Sequence, residues 1–106
     1  MFALLNSFSL NMINVQETKI EITEITIDQV KDFMRNNKSV SYIGHKDFAE
    51  ILTKLTDFNI PMNRSNFCFG EINKALVFHY SGPRLEEGTT VLPENATIKF
   101  FHVKVR

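Results

Sequence analysis

The chain has 106 residues, 43% hydrophobic and 23% charged, the composition of a single globular domain with a core of modest size. Its 12 Lys and Arg balance 12 Asp and Glu, which argues against a broad electrostatic grip on duplex DNA or an anionic membrane. The single cysteine, Cys68, excludes an intrachain disulfide and a multi-cysteine zinc site, fits a reducing cytoplasm, and reads as a small buried apolar residue.

The N-terminal MFALLNSF opens as a short buried strand that breaks at the polar residues around Asn6 and Ser9. Without a basic leader or a long apolar run, it reads as neither signal peptide nor membrane span. In KIEITEI, Ile20 and Ile22 alternate with polar residues, the period of a half-buried strand. TIDQVKDFMRNN then has capping-box spacing at Thr26 and Gln29 and an apolar face of Ile27, Val30, Phe33 and Met34. SVSYIG reads as a strand, and KDFAEILTKL as a second helix with Phe48, Ile51, Leu52 and Leu55 on one face.

Beyond Pro61, NFCF and ALVFHY are predicted to form an antiparallel hairpin across GEINK. SGPRLEEG is a loop punctuated by Gly82, Pro83 and Gly88, and TIKFFHVKV is a final strand. The order implies one α+β domain over residues 1–106, a mixed sheet carrying helices.

His45 follows Gly44 where a strand gives way to a helix, so its neighbourhood is a helix N-terminus with free N–H groups that favour an anion. A lone histidine in that position is more often structural than functional. His79 and His102 alternate with apolar residues, and no metal-ligand spacing is present, so no metal and no cofactor are predicted. Arg64 in PMNRSN and Arg84 in GPRLEEG sit beside turn-forming residues, where they serve equally as phosphate clamps or as solvated side chains. Glu86 and Glu87 beside Arg84 suit a surface ion pair, while Asn6 and Ser9 suit turn formation. These residues alone specify a soluble α+β domain with a candidate anion site.

LLNSFSL, SYIGHKDFAEIL, IPMNR, KALVF and an R-x-x-E loop occur in that order over about residues 2 to 91. In this the chain resembles the small viral anti-CRISPR ring nucleases that act against type III systems, with similar stand-alone proteins in bacteria. The resemblance implies a symmetric homodimer that binds cyclic tetra-adenylate across its two-fold axis and cuts it to linear di-adenylate without a metal. By that likeness His45, Arg84 and Glu87 match the catalytic positions, and Asn6, Ser9 and Arg64 match ligand-positioning ones. Two departures stand out: Lys46, Asp47 and Phe48 replace small hydroxyl residues common after the Gly-His, and the C-terminus lacks a long polar helix. Lys46 can supply a phosphate contact in their place.

The reaction so implied is attack of a ribose 2′-hydroxyl on its own 3′-phosphate. His45 would protonate the leaving 5′-oxygen, Arg84 would neutralise the phosphate, and Glu87 would hold Arg84 or His45. Glu87 as the base on the 2′-hydroxyl is the less favoured assignment. Two other readings remain open: a sponge that binds a cyclic nucleotide without cutting it, and a protein-interaction module using some of the ten phenylalanines.

Overall fold

In the computed structural model, which describes residues 1–106, the most apolar short segment becomes the middle of the sheet. β1 (Phe2–Leu5) is buried at all four positions, because β3 (Ser39–Tyr42) and β4 (Lys74–Ser81) flank it, both parallel to it. A strand covered on both faces reads as a continuous apolar run, and FALL does. β5 (Thr97–Val105) pairs antiparallel with β4, and β2 (Ile20–Ile25) with β5. The order β2-β5-β4-β1-β3 gives one mixed five-stranded sheet in an α+β domain.

α1 (Ile27–Asn36) begins with the capping box that its sequence predicts: Thr26 accepts the Gln29 N–H, and the Gln29 side chain accepts the Thr26 N–H. α2 (Lys46–Thr56) ends at Asp57 in a left-handed conformation. Both helices lie on one face of the sheet, where Val30, Met34, Phe48 and Leu52 pack with Phe2, Leu4, Leu76 and Phe78. Within α2, Leu55 is only partly buried and Thr56 is fully buried. The Thr56 hydroxyl donates to the Leu52 carbonyl at 2.8 Å, so burying it leaves no polar group unpaired.

The expected hairpin between NFCF and ALVFHY does not form. Residues 66–69 join no strand; Phe67 and Phe69 instead turn inward and cover the second face against Leu5, Val77 and Val103. The alternation in NFCF is therefore a packing pattern, and the Phe69 N–H donates to the Met12 carbonyl at 2.8 Å instead of to a strand. Cys68, between the two rings, is exposed, which overturns its reading as a buried residue. A short 3₁₀ turn, Leu10–Met12, lies on the same side, and its start is capped by the Ser9 hydroxyl, which accepts the Asn11 N–H at 3.2 Å. No helix is long and apolar enough to cross a membrane.

Candidate functional site

Because β3, β1 and β4 are adjacent and run the same way, the segments leaving their C-terminal ends emerge at one edge of the sheet. That edge is where open sheets with parallel strands commonly hold ligands. Asn6 follows β1, Gly44 and His45 follow β3, and the 82–88 loop follows β4. β4 runs four residues past Val77, the partner of Leu5, roughly 13 Å at strand rise, and so lifts its loop above the ends of the other two strands.

Between these segments lies an open cavity of about 1000 Å³ lined by Asn6, His45, Lys46, Arg64, Arg84 and Glu87, together with Asp47, Tyr80 and Gly88. Six of the seven residues singled out in the sequence thus share one cavity. Ser9 does not line it; its hydroxyl is occupied in capping the 3₁₀ turn.

His45 is exposed and serves as the N-cap of α2, with its Nδ1 accepting the Phe48 N–H at 3.2 Å. Nδ1 carries no proton while that bond is made, so the ring proton sits on Nε2, the nitrogen left for a ligand. The first turn of α2 adds backbone N–H groups and a partial positive charge beside it.

Arg64 reaches the site through a docked segment. Met62 forms an isolated parallel bridge with Ile43, the Asn63 N–H donates to the Ile43 carbonyl at 2.8 Å, and the Asn63 amide donates to the Ser41 carbonyl at 2.9 Å. The Arg64 Nε–H then donates to the Gly44 carbonyl at 3.1 Å. That bond uses one donor of the fork and leaves the terminal nitrogens free.

The three ion pairs of the chain are Lys31 with Asp57, Arg35 with Asp32, and Arg106 with Glu21. None involves a cavity residue: Arg84 forms no ion pair with Glu86 or Glu87, and Glu87 forms none with His45. The cavity carries three cations, Lys46, Arg64 and Arg84, against two carboxylates, Asp47 and Glu87. In a chain of zero net charge, this is a local excess suited to an anion.

A sequence profile described as STIV B116-like matches residues 2–101. The chain belongs to this family. It is 34% identical over 91 residues to protein 26 of Sulfolobus islandicus filamentous virus (isolate Iceland/Hveragerdi), spanning 86% of this chain and 76% of that one. It is 37% identical over 57 residues to YddF of Bacillus subtilis (strain 168), 52% of this chain and 53% of that protein. Among solved structures it resembles B116 of Sulfolobus turreted icosahedral virus, with a TM-score of 0.79, 25% identity and 97% of each chain covered. The small viral family whose motifs the sequence resembles is therefore the family to which the chain belongs.

Sequence reasoning missed Tyr80 and gave Asp47 no role. The alternation in ALVFHY does put Tyr80 on the face of Leu76 and Phe78, and its ring meets Phe48 edge-on at 5.9 Å while its hydroxyl donates to the Pro83 carbonyl. Asp47 accepts a hydrogen bond from Gly88, 41 residues away, a contact that no local pattern announces.

Proposed function

We propose that the chain is a ring nuclease which, as a symmetric homodimer, binds cyclic tetra-adenylate and cuts it to linear di-adenylates with 2′,3′-cyclic phosphate ends. It would thereby damp type III CRISPR signalling. The observation that carries this reading is the convergence of His45, Arg64, Arg84, Glu87, Lys46 and Asn6 on one open cavity. A ring with four phosphates and two-fold symmetry exceeds what one protomer's three cations can neutralise. Two copies related by a matching two-fold axis double them.

In the reaction, the 2′-oxygen forms a bond to phosphorus as the bond to the 5′-oxygen breaks. The 2′-hydroxyl loses a proton and the departing oxygen gains one. Arg84, with Lys46, opposes the charge that grows on the phosphorane, and Arg64 and Asn6 orient the ring. His45 meets the leaving oxygen through Nε2. To pass that proton on, the neutral ring must first gain a proton at Nδ1, which breaks the bond from Phe48. Proton donation by His45 is therefore coupled to release of the α2 cap.

That same cap supports a second reading, a sponge that holds the ring without cutting it, since a histidine spent on capping need not be a catalyst. Labelled cyclic tetra-adenylate incubated with protein in EDTA and resolved by chromatography separates the two. Linear products are expected, and His45→Ala should slow their formation about 10²–10⁴-fold while leaving binding largely intact. Tight binding with no product in the parent would establish the sponge.

A further inference from the structure

The geometry points to Asp47 as the positioning residue that holds the 82–88 loop, and with it Arg84 and Glu87, over the His45 end of the cavity. This inference rests on the ring-nuclease reading of the site. Asp47 Oδ2 accepts the Gly88 N–H at 2.9 Å. The loop's other hydrogen bonds are local: Tyr80 donates to the Pro83 carbonyl at its base, and Thr89 donates twice, by N–H and hydroxyl, to the Glu86 carbonyl. The bond from Gly88 is the one that joins the loop to a helix. Gly88 has a φ of 87°, which a glycine adopts without strain, and a Cβ built there would meet nothing within 4 Å. Its conformation serves the turn and no packing need.

A carboxylate lining a cavity that otherwise favours anions works against phosphate binding, so its presence calls for a compensating role. Asp47 has two: it sits in the first turn of α2, where the helix dipole favours a negative charge, and it is the acceptor that fixes the loop. The two carboxylates offset two of the three cations. Removing the charge while keeping an acceptor should then strengthen anion binding without freeing Arg84.

The test compares the full chain with Asp47→Ala and Asp47→Asn. Asparagine keeps an acceptor oxygen and alanine does not. Amide hydrogen exchange at Gly88 should be about tenfold faster in Asp47→Ala and close to the parent in Asp47→Asn. With cyclic tetra-adenylate, Asp47→Ala should lose roughly 10–100-fold in kcat with KM no higher. Asp47→Asn should restore most of that kcat and lower KM. Equal Gly88 exchange in the parent and Asp47→Ala, or an equal kcat loss in both variants, would overturn the tether. A parent that neither binds nor cuts the ring would instead overturn the ring-nuclease reading, and the exchange measurement would still decide the role of Asp47.

Discussion

The Arg64 Nε–H donates to the Gly44 carbonyl at 3.1 Å, which ties the loop after Pro61 to the turn that presents His45. Two segments twenty residues apart in sequence thereby hold the histidine and a guanidinium in one cavity. The bond uses only the backbone carbonyl of Gly44, which any residue could supply. Its φ lies outside the left-handed region, and a Cβ added there would find its nearest heavy atom, Arg64 Cγ, at 4.0 Å. Space and conformation both admit a side chain at Gly44.

Gly44→Ala should accordingly fold as the parent does, with stability within about 0.5 kcal/mol. Arg64→Lys should fold as well but lose the forked donor set, because an ammonium cannot hold the carbonyl and a phosphate in the same planar geometry. Binding of cyclic tetra-adenylate, followed by calorimetry, should weaken for Arg64→Lys almost as much as for Arg64→Ala. Full rescue by lysine would reduce Arg64 to a simple point charge.

Gly82 is the opposite case. Its φ is 154°, and a Cβ there would lie 2.7 Å from Ala96 Cβ and 2.8 Å from Ala96 Cα, closer than carbon atoms pack. Ala96 is itself 7% exposed and has little room to withdraw. Gly82→Ala should therefore destabilise the fold by roughly 1–3 kcal/mol, a drop of at least about 4 °C in Tm for a domain of this size. An unchanged melting curve would mean that the start of the 82–88 loop moves freely away from Ala96.

Much of this fold was legible because local pattern and final environment agree. The Thr26 and Gln29 box, the apolar run of β1 and the alternation of β5 each met the surroundings that their chemistry anticipates. NFCF failed because a period of two says only that alternate residues share a face. It does not say whether the backbone pairs with a strand, and here Phe67 and Phe69 cover a sheet without joining it. The cavity was legible one residue at a time, but the cation excess, the cap at His45 and the bond from Gly88 to Asp47 depend on tertiary proximity.

Arg84 and Glu87 share a loop and form no ion pair with each other. If Glu87 neither restrains Arg84 nor acts as a base, Glu87→Gln should bind the ring more tightly, since a negative charge leaves the cavity, and should keep its turnover. If Glu87 takes the 2′-hydroxyl proton, the same change should cost about 10²–10⁴ in kcat. Arg84→Ala should weaken both binding and cleavage, and its affinity should fall less steeply with added salt than the parent's. Identical salt dependence in the two proteins would show that Arg84 does not contact the phosphates.

His102, on β5, is stacked on Phe33 of α1 with ring centroids 4.9 Å apart. Burial against that ring, and then Lys74 and Lys104 nearby, push its pKa below the ordinary 6.5, outweighing the opposing pull of Glu21. The unfolded chain therefore holds the His102 proton more tightly than the folded one does. The stabilisation that follows from a neutral His102 is fully present above about pH 6.5 and is lost as pH falls from there towards the folded-state pKa. Because the ring is only partly buried, solvent moderates the effect. Denaturant midpoints measured between about pH 7.5 and 5.5, above the range where carboxylates titrate, should decline with acidity in the parent and decline less in His102→Gln. Parallel curves for the two proteins would show that protonation of His102 is not what the folded state resists.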